Sequence, residues 1–339
     1  MSSRHRVPRH QAMTAQRADV ARAAALLRAG ELVAFPTETV YGLGADARNP
    51  LAIGKIFAAK GRPADHPLIV HLSDASHLER WAVDIPEAAI RLAAAFWPGP
   101  LTLILKRHPS VPDAVTGGQD TVGLRVPDHP LALQLLREFA GANGGGLAAP
   151  SANRFGRVSP TTAAHVREEL GDTVAMILDG GPCAVGIEST ILDLSGGEAR
   201  ILRPGMLGAA AMAAVLGYSP EFGGEQNAPR VSGSLEAHYA PRTPLQLVAA
   251  ADLAATAREA LDAGRRVAVL APQHLAFSHG GLLHCPASAD PAQFAHDLYA
   301  RLRELDAMRC DVILAVAPPA GESWRAVADR LRRAAAGSK

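Results

Sequence analysis

Residues 35–44 read FPTETVYGLG and follow a short, largely apolar run, ELVAF, at 31–35. The run has strand character. Pro36 closes it, and hydroxyls at Thr37, Thr39 and Tyr41, the Glu38 carboxylate and two glycines follow within ten residues. A strand that ends in proline and passes into Gly42 and Gly44 reads as the exit from a buried sheet into a loop whose backbone approaches something closely. Ligands of open α/β sheets lie beyond such strand ends, although an ordinary solvated turn has the same composition. The stretch sets a strand end; its purpose has to come from the rest of the chain.

Working outward, helical and strand patterns alternate without a repeat. Residues 13–30 show apolar spacing of three and four and stop at Gly30. Asn49-Pro50 opens a helix that Gly61 ends, with Ile53, Ile56 and Phe57 on its buried face. Strands are expected at 68–72, 101–106, 121–126, 147–149, 174–178, 189–194 and 200–202, and helices at 86–96, 130–140, 162–170 and 207–216. Short links between several strands point to a mixed α/β sheet. Residues 219–243 carry Pro, Gly, Ser and Asn without periodicity and read as a linker long enough to serve as a lid or binding loop. Beyond it, strands at 245–248, 267–270 and 312–316 and helices at 251–263, 291–308 and 324–336 describe a small parallel α/β domain. The expected division is 1–12 disordered, 13–218 first domain, 219–243 linker and 244–336 second domain.

Composition removes several classes. With 339 residues, 48% hydrophobic and 20% charged, the chain is long enough for two buried cores. No apolar run reaches the roughly 20 residues of a membrane helix, and the basic N-terminus lacks an apolar segment behind it, so a cytoplasmic protein is expected. Three scattered cysteines make neither a disulfide framework nor a Cys-based zinc site. The 34 basic and 33 acidic residues leave a net charge of +1, which speaks against strong nucleic-acid binding through a general field, while small anionic ligands need only a few local cations. Aromatic content of 4% is sparse for a base-stacking platform.

The common nucleotide, metal and acyl-transfer signatures, GxxxxGK[ST], GxGxxG, HExxH, GxSxG and CxxC, are all missing. Polar clusters at strand and helix ends remain. Lys60 and Arg62 flank the terminal Gly61, where cations oppose a helix dipole or bind an anion; Arg62, beyond the glycine and beside Pro63, favours the anion. His66 and His71 follow without a third metal ligand. Thr121, Gly123 and Arg125 share one side of a strand, and Arg125 is either a carboxylate or phosphate clamp or half of a surface ion pair. APSAN (149–153) with Ser159, GIEST (186–190) and LRPG (202–205) repeat the pattern. Five such clusters in one domain amount to a site for a ligand with several anionic groups.

In order, PTETVYGLG, KGRP with PLIVH, WPGPLT, TVGLRVP, APSAN, GIEST and LRPG resemble the YrdC-like threonylcarbamoyl-AMP synthases, and HYAP at 238–241 with a second α/β domain resembles their long two-domain form. The resemblance spans about residues 13–336. It implies a twisted mixed-sheet domain of the YrdC-like (DHBP synthase-like) fold followed by a smaller Rossmann-like parallel α/β domain. It implies synthesis of L-threonylcarbamoyladenylate and pyrophosphate from L-threonine, bicarbonate and ATP with Mg2+, the product passing to a tRNA threonylcarbamoyltransferase for modification of ANN-decoding tRNAs. By the same resemblance Thr39, His71, Arg125, Ala149 and Ser189 hold threonine. Lys60, Arg62 and Arg203 face the triphosphate, with Lys60 and Arg62 the catalytic pair. His66, Thr121, Ser151, Asn153 and Ser159 contact ATP, and Tyr239 covers it. His66 stands where the family commonly has Asn, and its ring N–H can donate in the same place. Two other classes share the domain: a double-stranded-RNA-binding module, opposed by the near-zero charge, and a carbamoyl-transfer maturation factor, whose CxxC pairs are missing here.

Overall fold

In the computed structural model, residues 9–223, 228–233, 235–276, 279 and 281–338 are described. Ten strands form the first sheet: β1 Val33–Phe35, β2 Gly42–Asp46, β3 Ile69–His71, β4 Leu101–Lys106, β5 Thr121–Arg125, β6 Leu147–Ala148, β7 Met176–Ile177, β8 Thr190–Asp193, β9 Arg200–Arg203 and β10 Glu221–Phe222. Their order is β10-β9-β8-β4-β5-β3-β6-β2-β1-β7, and parallel pairs (β3 with β5, β4 with β8) alternate with antiparallel ones, so the sheet is mixed as expected.

Side-chain alternation sorts this sheet into two faces. Val122 and Leu124 of β5, Val70 of β3 and Ala34 of β1 enter the large core under α2 (Pro50–Lys60), α3 (Glu87–Phe96), α6 (Ala163–Leu170) and α7 (Ala209–Leu216). Val33 and Phe35 turn the other way, into a smaller core with α1 (Arg9–Arg28) and α5 (Pro130–Ala140). His71 and Arg125 share that second face, beyond the reach of α1 and α5. A short helix, α4 (Asp113–Thr116), precedes β5.

The second sheet is wholly parallel, in the order β11-β14-β12-β13, with β11 Leu245–Val248, β12 Val267–Pro272, β13 Leu282–Ala287 and β14 Val312–Val316, flanked by α8 (Leu253–Asp262), α9 (Pro291–Ala307) and α10 (Arg325–Ala336). Its core continues into the first lobe: Val40, Val158, Ile187 and Tyr239 pack with Leu298, Tyr299, Val327 and Leu331.

Several expectations are corrected. Residues 42–44, read as part of a loop, instead open β2, which is held between β1 and β6. GLGAD has little intrinsic strand preference, and its strand state comes from tertiary pairing. Gly44 permits it, since a Cβ there would stand 2.8 Å from Phe35 Cε1. β13 carries no strand signal in the sequence, because LLHCPA has no alternation and contains Pro286. The first helix begins at Arg9, ahead of residue 13; residues 1–8 of the segment expected to be disordered lie outside the described residues. In the linker, β10 extends the first sheet, and residues 224–227 and 234 lie outside the described residues.

Candidate active site

The site is built from chain segments leaving strands on the open face. α2 delivers two cations: Asn49 caps its N-terminus through bonds from the Leu51 and Ala52 amides, and Gly61 ends it in the left-handed conformation (φ 61°). The Arg62 amide then donates to Phe57 O at 3.0 Å, turning the chain so that Arg62 reaches the cavity. β3 and β5 place His71 and Arg125 side by side in register. The segments after β6 and before β8 bring Ala149, Ser151, Glu188 and Ser189, β9 brings Arg203, and the linker brings Ser232, Gly233, His238 and Tyr239. What they enclose is narrow, about 50 Å³.

Arg125 is buried and committed on three sides. It pairs with Glu38 through Nη2, donates through Nε to Gly99 O at 3.1 Å and through Nη1 to Thr39 Oγ1 at 3.0 Å. That leaves one N–H on each terminal nitrogen for the cavity. Glu38 also accepts the Asp128 amide at 3.0 Å, so the TET segment is cross-linked to β5. Arg203 donates to Ser189 O from Nε and Nη2 (3.1 and 3.0 Å), to Ser189 Oγ (3.1 Å) and through Nη1 to Ser232 O (2.8 Å). Arg62 donates to Pro67 O at 2.9 Å and Ser232 Oγ at 3.1 Å. One linker serine thus occupies two of the three cations expected to face phosphate, Arg62 and Arg203.

A chain of rings closes the outer wall: His66 on Phe155 (5.3 Å between centroids), Phe155 on His238 (5.9 Å), His238 on Tyr239 (4.2 Å) and Tyr239 stacked on Tyr299 of α9 (5.7 Å). Gly233, at φ 77°, has no room for a side chain, because a Cβ would stand 2.1 Å from the Tyr239 hydroxyl.

The charge balance is uneven. Arg125 faces Glu38 and Arg330 faces Glu188, whereas Lys60, Arg62 and Arg203 have no carboxylate partner among the described residues. Burial lowers all three from their ordinary values, Arg62 to about 10, and repulsion from Arg62 adds to the shift of Lys60. Burial likewise takes His71 and His238 to about 3, with Arg125 opposing a charge on the first and Arg62 on the second, so both rings are neutral near pH 7. Five of the seven buried side-chain polar atoms that lack a partner among the described residues belong to this region: Arg62 Nε, His71 Nδ1, Asn153 Oδ1, His238 Nδ1 and Tyr239 OH. Buried polar atoms are ordinarily paired, so such a concentration marks a place prepared for a polar ligand.

Of the residues expected in the site, Thr39, Arg62, His71, Arg125, Ala149, Ser151, Ser189, Arg203 and Tyr239 line the cavity. Others sit behind it. Lys60 spends its Nζ on Ser151 O and Asn153 O instead of facing the cavity. Asn153 gives its amide N–H groups to Arg154 O and Arg157 O, and Ser159 donates to Glu188 at 2.6 Å. Thr121 lies in an adjoining crevice with Pro67 and Ser232, and His66 stands on the outer side of Phe155. The roles drawn from sequence leave out the cavity-lining Glu188 and His238, although GIEST and HYAP stand among its motifs, and also leave out Ser232 and Glu38, the partner of Arg125. The available signal was a lone carboxylate next to hydroxyls, between Thr37 and Thr39 in TET and ahead of Ser189 and Thr190 in GIEST.

A family model described as "Telomere recombination" matches residues 25–205, and one described as "Threonylcarbamoyl-AMP synthase, C-terminal domain" matches 204–336. The chain is 44% identical over 329 residues to a threonylcarbamoyl-AMP synthase of Bacillus subtilis, covering 94% of this chain and 93% of that one. It is 39% identical over 325 residues to one of Pyrococcus abyssi, with 92% of each covered. The crystal structure of P. abyssi Sua5 complexed with L-threonine superposes with a TM-score of 0.87 over 95% of both chains at 37% identity. This chain belongs to the Sua5/YciO/YrdC family, in the two-domain form that ends in the threonylcarbamoyl-AMP synthase C-terminal domain.

Proposed function

We propose that this protein is a threonylcarbamoyl-AMP synthase, making L-threonylcarbamoyladenylate and pyrophosphate from L-threonine, bicarbonate and ATP. The observation that carries the reading is the trio of buried cations without carboxylate partners beside a cavity rimmed by unpartnered polar atoms. The threonine amine takes up bicarbonate-derived CO2 as a carbamate. A carbamate oxygen attacks the α-phosphorus, and the bond from that phosphorus to the bridging oxygen breaks as pyrophosphate leaves. Such a reaction needs alignment and charge neutralisation more than a strong base, and the neutral His71 and His238 fit that requirement.

Thr39, His71, Ser189, the Ala149 backbone and the two free N–H groups of Arg125 would hold threonine, Arg125 meeting its carboxylate. Arg62 and Arg203 would take the phosphates in place of Ser232, and Tyr239 would cover the nucleotide. Lys60 would act by fixing the 151–153 turn, and phosphate charge nearby would favour its protonated form. Ser151, the free Asn153 Oδ1 and, once the linker moves, Thr121, Ser159 and His66 are the groups placed to reach ATP. Mg2+ would arrive on the nucleotide and supply charge neutralisation at the phosphates; the described residues contain no cluster of three His, Cys, Asp or Glu to hold it separately.

A cavity of about 50 Å³ has room for only a few waters, so ATP requires the 228–233 segment to move aside as a lid. No helix among the described residues is long and apolar enough to cross a membrane, and the three cysteines are free and buried; we place the protein in the cytoplasm. There the product, a reactive mixed anhydride, would pass to a tRNA-modifying transferase. Purified protein given ATP, threonine and bicarbonate is expected to release pyrophosphate, and to stop when threonine or bicarbonate is withheld. No release with all three present would refute the proposal.

A further inference from the structure

Arg330 lies on α10, remote in sequence from every motif of the site, and is wholly buried where the two lobes meet. Its Nε donates to Glu188 Oε2 at 2.7 Å and its Nη1 to Asp329 at 2.8 Å, and its Cζ stands 5.2 Å from the Tyr239 ring centroid. Asp329 is shared with Arg332 and Arg333, which leaves Glu188 as the acid that Arg330 serves alone. Glu188 further accepts from Ser159 Oγ at 2.6 Å and, from α9, Tyr299 OH at 2.9 Å. A carboxylate that lines the cavity is therefore neutralised from the C-terminal lobe.

The next residue, Ser189, is gripped through its carbonyl by Arg203. Two guanidiniums thus hold consecutive residues of GIEST, with one carboxylate to satisfy. Burial alone would raise the Glu188 pKa, and Arg330 first, then Arg203, bring it down to about 2, so the acid is charged and senses both.

We infer, resting on the synthase reading above, that Arg330 is a positioning residue for the adenylation site: it occupies the Glu188 carboxylate and so keeps Arg203 turned to the cavity and the phosphates of ATP. A buried carboxylate does not stay unpaired. Without Arg330, the cation at hand is Arg203, and its swing to Glu188 takes a planar donor fork away from the nucleotide. Tyr239, held at φ 61° between Arg330 and Tyr299, loses one of its supports at the same time. The C-terminal lobe thereby acquires a task inside the first lobe's site.

The test is steady-state pyrophosphate release by the full chain, with ATP and threonine varied separately. Arg330→Met is expected to raise KM for ATP by about tenfold or more, with a smaller rise in KM for threonine because Ser189 loses the grip of Arg203. The double variant Glu188→Gln with Arg330→Met removes the charge that would capture Arg203, and recovery of KM for ATP is expected. A purely structural role would lower the amount of active enzyme in both variants and leave both KM values unchanged; that result overturns the inference, as does a double variant no better than the single one. If Arg330→Met does not fold, the double variant decides alone: KM for ATP near wild type supports the inference and a weakened one sinks it. A wild-type protein that releases no pyrophosphate counts against the synthase reading, whereas an active wild type with unaltered variants counts against Arg330 only.

Discussion

Arg125 and Glu38 show how one residue can serve the fold and the chemistry together. The pair is almost completely buried, and Glu38 takes the Asp128 amide as well, so removing the cation strands a carboxylate. Arg125→Ala is expected to cost about 3–5 kcal/mol of stability and to abolish threonine-dependent pyrophosphate release. Denaturant unfolding and turnover of the same preparation check both halves, and near-normal turnover would remove Arg125 from the threonine site. TVGLRVP made this arginine legible, because period-two alternation puts Thr121, Gly123 and Arg125 on the face opposite Val122 and Leu124. Its partner was not legible. Which acid answers which base depends on segments 87 residues apart meeting across a sheet. Lys60 carries the converse lesson: its place at a helix end was readable, but its use by two carbonyls depends on where the 151–153 turn lands.

At the level of elements, strong local signals carried through and tertiary ones did not. Cap, first-turn proline and terminal glycine placed α2 correctly because each acts on its own backbone. β2 escaped notice since it owes its strand form to β1 and β6, with Leu43 in the core and both glycines against other side chains. Two substitutions separate these cases. Gly44→Ala drives a methyl to 2.8 Å from the Phe35 ring and 3.1 Å from Val33 O, and about 1–3 kcal/mol of destabilisation is expected from such overpacking. Gly54→Ala, in the middle of α2 with nothing within 4 Å of the new carbon, is expected to stabilise by roughly 0.5–1 kcal/mol, the ordinary helix preference. Unfolding midpoints give both signs; a neutral Gly44→Ala would mean that Phe35 yields freely and that the glycine is not required by packing.

Across the whole molecule, the two lobes are fastened at the functional site itself. The backbone of α9 approaches Gly186 so closely that a Cβ there would lie 2.4 Å from His296 O, and Arg330 and Tyr299 meet Glu188 beside it. The division into two lobes was readable from composition, but this shared core was not, since no local pattern announces which surfaces dock. Burying neutral histidines, His71 on β3 within the first lobe and His238 in the linker, makes stability depend on pH. His71 and His238 have folded pKa values near 3, against about 6.5 in an unfolded chain. Between those values the unfolded chain binds more protons than the folded one, so stability rises with pH through this window: the contribution is fully present above about 6.5 and is lost as pH falls. Each ring costs about 1.4 kcal/mol per pH unit below 6.5, so going from pH 7.5 to 5.5 should remove about 3 kcal/mol from the two together. Glu188, held near 2, adds nothing over that interval, because its own window begins only below the ordinary Glu range. Chemical denaturation at the two pH values measures the loss; His165, lowered by burial to about 4, and His66, His129 and His284, lowered in the same direction, add to the same slope, and His71→Leu should take away about 1.4 kcal/mol of the total. A profile flat between pH 7.5 and 5.5 would show that both rings reach water or a counter-ion on protonation, and that their surroundings open more readily than the packing indicates.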